Sequence, residues 1–309
     1  MTDTATETFE AHRGYLAGIA YRMLGSVADA QDVVQDAYLR WRGAQAVGIG
    51  SPRAWLAKVV TRLCLDQMKS ARRRRETYIG PWLPEPLLDD PALISDPAGD
   101  VASDVSVALM MALERLSPLE RAAFILRDIF DLEFAEIAGA LGRDEAACRQ
   151  LAARARAHLR ENRPRYRVPA AEGRRIAEAF FAASREGDLD GLRALLAENV
   201  VLHTDGGGHK PSARRPVLGL DHVSRFFAGI ARKAHKADLR LTVWKQPLAI
   251  NGLPGFASVE ADGTLQTTAL EIVDGRIAAI YIMRNPDKLR HIAALVPASA
   301  LYRSSAPSV

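Results

Sequence analysis

The chain has 309 residues, 48% of them hydrophobic and 25% charged, with a formal net charge of +4 and two cysteines. This is ordinary globular composition with length for two or three small cores, and it excludes disordered, collagen-like and disulfide-stapled classes. Cys64 and Cys148 each fall in an apolar helical pattern, no apolar run is long enough to span a bilayer, and the acidic start MTDTATETFE lacks a signal-peptide pattern. The expectation is a cytoplasmic protein with no membrane association, no disulfide and no metal site.

The first elements are helical. Over 9–24, Leu16, Ile19, Ala20 and Met23 share a face and Gly25 ends the pattern. Ser26-Val27-Ala28-Asp29 opens a second helix whose buried stripe is Ala30, Val33, Val34, Ala37 and Trp41. On its other side Asp29, Asp32 and Asp36 fall at i, i+3 and i+7 beside Gln35, an acidic face that repels DNA and suits a basic protein surface. Three acids on an open helix without a histidine argue for solvation or protein contact over catalysis or a metal.

A third helix starts at Pro52 and is expected to turn Trp55, Val59, Leu63 and Cys64 inward. It carries Arg53, Lys58, Arg62, Lys69 and the run Arg72–Arg75, opposed only by Asp66 and Glu76, which suits phosphate but equally describes a solvated face. Trp55 reads as a stacking platform for an unpaired base or as core, and its spacing favours the core. From Gly80 to Asp104 there are five prolines and six carboxylates without a Lys or Arg, which predicts an extended linker. Its apolar stretch Trp82-Leu83-Pro84-Glu85-Pro86-Leu87 is expected to dock.

Ser117-Pro118-Leu119-Glu120 supplies an N-cap, a first-turn proline and a reciprocal glutamate. Helical spacing follows at Ala122, Ile125, Leu126 and Ile129, recurs at Phe134, Ile137, Ala138 and Leu141, and stops at Gly142-Arg143-Asp144. The next helix, capped by Asp144, buries Cys148, Ala152, Ala155 and Leu159 and leaves Glu145, Arg149, Gln150, Arg154 and Arg156 outside. This is a helix-turn-helix pattern whose Arg and Gln suit guanine and adenine edges in the major groove; a bundle with a basic face is the plain alternative.

A boundary at Arg163–Pro169 leads into a mixed α+β region. It reads as helices at about 172–185 and 188–197, a strand Val200–His203, a helix near 219–233, and strands near 238–247, 254–261, 264–273 and 276–283. Asp262-Gly263 and Asp274-Gly275 mark turns of a curved antiparallel sheet, giving a cone-shaped domain with a pocket. His203 and Asp205 are the candidates for a base and its polar partner, yet no nucleophile or metal-ligand set accompanies them, so no catalytic, cofactor or metal residue is assigned. Gly206-Gly207-Gly208 permits positive φ and close backbone approach, as a docking loop or a phosphate cradle; no P-loop follows it.

GSVADAQDVVQDAYLRW, SPRAWLAKVVTRLCLDQMKSARRRR and LSPLERAAFILRDIFDLEFAEIAGALGRDEAACRQLAARARAHLR, in that order across a linker, resemble extracytoplasmic-function sigma factors of bacterial RNA polymerase. They are similar to the region 2 helix that binds polymerase, the region 2 part that melts and reads the −10 element, and the region 4 helix-turn-helix that reads −35. WLPEPL, the Asp205–Gly208 loop and Asn285-Pro286-Asp287-Lys288-Leu289 resemble the sigma factor J-like group (group 41), which carries a fused C-terminal SnoaL-like (NTF2-like) domain. The loop departs from the group pattern because His209 separates the glycines from Lys210.

The resemblance implies a multidomain protein, two all-α helical domains followed by an α+β SnoaL-like cone: region 2 at 1–79, linker 80–104, region 4 at 105–167, SnoaL-like domain 168–295 and a flexible tail 296–309. It assigns Asp29, Asp32, Val33, Gln35 and Asp36 to core RNA polymerase. Arg53, Trp55, Lys58, Arg62, Lys69, Arg72 and Arg73 go to the −10 element of promoter DNA, and Glu145, Arg149, Gln150, Arg154 and Arg156 to −35. Regulatory contacts fall to Trp82, Leu83, Pro84, Glu85, Pro86, Asp205, Gly206, Gly207, Gly208, Lys210, Asn285, Pro286, Asp287, Lys288 and Leu289, which would clamp the linker and hold the two DNA-reading domains in one placement. A small-molecule ligand of the pocket is left open. The rival reading, a dimeric helix-turn-helix regulator with a ligand-binding or enzymatic domain, leaves the acidic helix and a second basic domain unexplained.

Overall fold

The computed structural model describes residues 4–44, 49–76, 78, 80–88, 106–159, 168–236 and 242–302, the side chains of 70–76 and 301–302 excepted. The expected linker from 89 to 104, the boundary at 163–167 and the predicted strand start at 238 lie outside these residues. Two units result, one made of 1–77 with 89–164 and the other of 78–88 with 165–309.

In the first unit α1 (Thr4–Leu24) ends where Gly25 takes φ 69° and donates its N–H to the Tyr21 carbonyl. Helix α2 (Val27–Ala44) buries the predicted stripe, with Val33 at 3% exposure. On α3 (Pro52–Glu76) the buried row is Leu56, Val60, Cys64 and Met68, whereas Trp55, Val59 and Leu63 are half-buried. The inward face is therefore turned by about one residue from the expected one, because the 56/60/64/68 row carries the i, i+4 repeat that meets α1. The Trp41 indole donates to the Ala5 carbonyl at 2.9 Å, and its ring tilts against Trp55 with centroids 5.7 Å apart.

Helix α4 (Val107–Leu113) is capped by the Ser106 side chain, and α5 (Pro118–Phe124) carries the predicted Ser117/Glu120 capping box. Helix α5 continues through one wider π turn, Ile125–Ile129. Helix α6 (Phe134–Leu141) is closed by Gly142 at φ 63°, and Asp144 opens α7 (Glu145–Leu159) by accepting the Ala147 N–H at 2.7 Å.

The two helical regions do not stand apart, as a pair of separately tethered modules would. Arg121, 1% exposed, donates from Nε to the Arg22 carbonyl at the end of α1 and pairs with Glu114 at 2.6 Å. Phe130 meets Tyr15 edge-on at 5.1 Å, and α3 packs along α6.

In the second unit α8 (Ala170–Glu186) and α9 (Leu189–Leu195) precede a six-stranded sheet of order β2-β1-β6-β5-β4-β3. The strands are β1 (Leu196–Asp205), β2 (Val217–Leu218), β3 (Thr242–Ile250), β4 (Leu253–Glu260), β5 (Leu265–Val273) and β6 (Arg276–Met283), with α10 (Leu220–Lys236) between β2 and β3. The sheet is mixed, not purely antiparallel: β1 runs parallel to β6, and the short β2 was not foreseen. Parallel pairing needs a long crossover, here everything from β2 to β5. The hairpin turns fall at Asn251-Gly252, Asp262-Gly263 and Asp274-Gly275; in the first and last pairs both residues have positive φ as a type I′ turn requires, and Gly263 has φ 74°.

Ile176, Phe180, Leu202, Val223, Phe227, Leu270 and Ile280 join α8, α10 and one face of the sheet in a core. A 3₁₀ turn Pro286–Leu289, α11 (Arg290–Ala293) and α12 (Ala298–Tyr302) follow β6. Val296 and Ala300 are buried against Val259, so the start of the segment expected as a flexible tail is packed. Val259 had apolar surface to cover.

Candidate functional site

The densest polar cluster gathers on Asp205, the last residue of β1, whose side chain is fully buried. Its Oδ1 accepts from the Tyr78 hydroxyl at 2.6 Å and the Gly207 N–H at 3.0 Å; its Oδ2 accepts from the Leu83 N–H at 2.9 Å and Lys288 Nζ at 2.8 Å. Four donors on one buried carboxylate satisfy a charge that would otherwise be costly to desolvate. Lys288 also donates to the Leu83 carbonyl at 2.6 Å and lies 4.2 Å from the Trp82 ring centre and 4.8 Å from that of Tyr78. Asn285 donates from Nδ2 to the Tyr78 oxygen at 2.8 Å while its Oδ1 caps the 3₁₀ turn through the Asp287 N–H. Burial, and next the Asp205 carboxylate, push the Tyr78 phenol well above its ordinary pKa, so the hydroxyl stays a donor.

The loop explains its glycines. Gly207 has φ 61°, and a Cβ there would lie 2.3 Å from Asn285 Nδ2; a Cβ on Gly206 would lie 2.1 Å from the Lys210 carbonyl. Gly208 has φ 77°.

Tyr78 and residues 80–88 thus form a strap on the C-terminal domain, fastened at both ends. Beyond Leu83, the Pro86 carbonyl meets His291 Nε2 at 2.7 Å, and Leu87 exchanges two bonds with Asn251, N–H to Oδ1 at 3.0 Å and carbonyl from the Asn251 N–H at 2.6 Å. Leu88 bridges Ile250. Pro84 and Pro86 have no N–H to satisfy, so the strap lies buried with few orphan donors. Leu83, Glu85 and Leu289 are buried, and Pro286 starts the 3₁₀ turn.

Two residues expected in the contact are not in it. Lys210 closes the glycine turn with its backbone N–H to the Gly206 carbonyl, and its charge acts on Asp262; the lysine of the clamp is Lys288, which reaches the strap from the 3₁₀ turn. Asp287 turns outward to Arg290 at 2.6 Å and His209 at 3.4 Å. His203 and Asp205 are not brought together either: Asp205 is occupied as described, and His203 stacks on Tyr281 with ring centres 5.4 Å apart. Tyr78, Asn251 and His291 escaped the sequence reading. The Asn251-Gly252 dipeptide signals a hairpin turn, but nothing in it announces the strap.

In the helical unit, Asp32, Gln35 and Asp36 are exposed on α2 and are joined at the i+7 position by Leu39, 60% exposed. Leu39 was missed; its signal was an apolar residue out of register with the buried stripe. Val33 belongs to that stripe and is not on the outer face, since α2 needs it against its neighbours. Asp29 is half-buried and accepts from Gln67 Nε2 at 2.8 Å.

Of the basic residues of α3, Arg53 lies over the Tyr15 ring at 4.3 Å, Lys69 is exposed beside Asp66, and Lys58 is half-buried. Arg62 donates to the Ala140 and Gly139 carbonyls at 3.1 and 3.0 Å, holding the C-terminal end of α6 instead of facing solvent unengaged. Orphan carbonyls at a helix end attract a guanidinium. Arg72 and Arg73 lie on α3, but their side chains are outside the described set.

On α7, Glu145, Arg149, Gln150, Arg154 and Arg156 are all exposed. Arg149 pairs with Glu145 and lies 5.2 Å from the centre of the Phe134 ring, whereas Arg154 and Arg156 turn back to Glu120 at 3.1 Å and Asp128 at 2.7 Å.

Family comparison agrees with this layout. The Sigma-70 region 2 profile matches residues 8–74, Sigma-70 region 4 residues 106–159, and the SnoaL-like domain residues 177–285. The ECF RNA polymerase sigma factor SigJ of Mycobacterium tuberculosis is 41% identical, covering 91% of both chains. The probable ECF RNA polymerase sigma factor SigI of the same species is 36% identical over 93% of this chain and 95% of its own. The crystal structure of M. tuberculosis SigJ superposes with a TM-score of 0.74 at 37% identity, over 92% of this chain and 98% of that one.

Proposed function

The chain belongs to the extracytoplasmic-function RNA polymerase sigma factors, and on that premise we propose that it binds core RNA polymerase and brings it to promoter DNA under control of its own C-terminal domain. The outer face of α2, with Asp32, Gln35 and Asp36 around the exposed Leu39, supports a basic protein partner that offers an apolar seat. Arg53, Trp55, Lys58 and Lys69 suit the −10 element, with Arg72 and Arg73 extending the basic end of α3 in sequence. Arg149 and Gln150 suit base edges at −35, while Arg154 and Arg156, once released from Glu120 and Asp128, suit phosphates. The work is that of a non-enzymatic transcription factor acting in the cytoplasm.

The observation that carries the regulatory reading is the buried Asp205 carboxylate joining strap, glycine loop and Lys288. The strap lies in the chain between α3 and α4, so clamping it takes residues 78–88 out of the connection between the two DNA-reading regions. At about 3.3 Å per residue this withdraws roughly 35 Å of reach, and a coupling of a few kcal/mol suffices to switch activity.

Run-off transcription with core polymerase on promoters selected from random duplexes tests this. The full chain gives a specific transcript, and Lys288→Met changes its yield several-fold while core binding is retained. No specific transcript removes the sigma reading, and an unchanged yield removes the regulatory one.

A further inference from the structure

The C-terminal domain has a cavity of about 90 Å³ between α8, α10 and the sheet, on the sheet face opposite His203 and Tyr281. Its apolar wall is Phe180, Phe226, Phe227 and Phe256 with Ile230 and Ile282; hydroxyl and amide side chains also line it, and its charged residues are Arg185, Glu260 and Arg284. Arg185 grips Glu260 end-on, Nη1 to Oε2 at 2.9 Å and Nη2 to Oε1 at 2.7 Å, which uses that carboxylate.

Arg284 lacks such a grip. Its Nη1 donates to the Pro211 carbonyl at 2.7 Å, its Nε, like that of Arg185, is buried without a hydrogen-bond partner, and no carboxylate lies within ion-pair distance of it among the described residues. The Nε–Nη2 edge is the side-on fork by which a guanidinium takes a carboxylate with two parallel bonds. Asp262, whose charge also acts on Arg284, accepts the Thr264 N–H and stands outside the lining. With Arg185 and Glu260 paired, the lining carries one unit of positive charge. Burial pulls the Arg284 guanidinium below its ordinary pKa, against the charges of Glu260 and Asp262, which act on it from beyond ion-pair distance.

We propose that this cavity is a binding site for a small monocarboxylic acid, its carboxylate on the Arg284 guanidinium and its short aliphatic or aryl body among the phenylalanine rings. A half-buried charge without a paired carboxylate, beside an apolar wall, fits an amphiphilic anion better than a neutral apolar guest, which would leave the charge unmatched, or an inorganic anion, which would leave the rings uncovered. The proposal rests on the cavity alone and stands apart from the transcriptional reading.

Calorimetric titration of the full chain with butyrate and with benzoate tests it, with butyramide and benzamide as neutral isosteres and chloride as a simple anion. At least one acid binds saturably at one site, its amide at least about tenfold more weakly, and Arg284→Gln weakens the acid by about tenfold or more. Ile230→Trp, at a 38% exposed position of the lining, narrows the cavity without disturbing the core and lowers affinity for the acid whether or not Arg284→Gln folds. The proposal is overturned if neither acid binds below about 10 mM, if the amides or chloride bind as well, or if neither substitution alters binding.

Discussion

Asp205 and Lys288 are buried at 0% and 10% side-chain exposure, so the clamp is a desolvated ion pair whose partners depend on each other. Removing one member of such a pair typically costs about 3–5 kcal/mol because the other is left uncompensated. Lys288→Met is expected to lower the stability of the C-terminal unit by an amount of that order and to open the 78–88 strap to protease; a strap cut no faster than in the wild type would contradict the clamp.

His203 sits on the sheet face away from the cavity, stacked on Tyr281 with its Nδ1 unpartnered, and burial lowers its pKa from 6.5. The unfolded chain then binds the proton more readily, so this residue's contribution falls as pH drops through and below about 6.5. Denaturant titrations at several pH values should show His203→Phe, which keeps the stacking, losing less stability than the wild type on acidification. An equal loss in both would show that His203 carries no linkage.

At the scale of elements, the helices and their ends were legible because their causes are local. The Ser117/Glu120 box, Gly25, Gly142 and Asp144 each act within one turn, and the 3.6-residue apolar rows place the buried stripes to within a residue. The strap was legible as a docking segment because an apolar, proline-rich stretch has no other way to leave water. Its partners were only partly so. Asp205 and Lys288 stood in recognisable motifs, whereas Tyr78 and His291 are single polar aromatics whose roles exist only in three dimensions. The parallel pairing of β1 with β6 was hidden for the same reason, since the register is set by strands about 80 residues apart.

One element contact changes the reading of the basic helix. Arg62 binds the two carbonyls that close α6, so part of α3's charge holds the helical regions together. Arg62→Ala is expected to cost no more than about 1 kcal/mol, since the guanidinium is largely exposed. It should nonetheless speed hydrogen exchange at the end of α6. Unchanged exchange there would mean the contact holds nothing.

At the scale of the whole molecule, the helical unit has buried Arg121 and Phe130 in contacts that join its two halves, while the α7 residues proposed to meet DNA and the outer face of α2 remain exposed. Promoter elements lie apart on DNA, so engagement of both requires that joint to open, whereas the α2 face is available beforehand. This predicts an order: polymerase first, promoter second. The C-terminal unit enters through the strap, which is part of the tether between the two DNA-reading regions, so what holds the strap sets how far they separate. The α2 face stands at the head of this sequence.

Binding of the intact chain to purified core RNA polymerase, by pull-down and by titration, tests the account most directly. The wild type is expected to bind, and the double substitution Asp32→Arg with Asp36→Arg, both on an exposed face and harmless to the fold, to weaken binding by at least about tenfold. Failure of the wild type to bind, or equal binding by the charge-reversed chain, would contradict it.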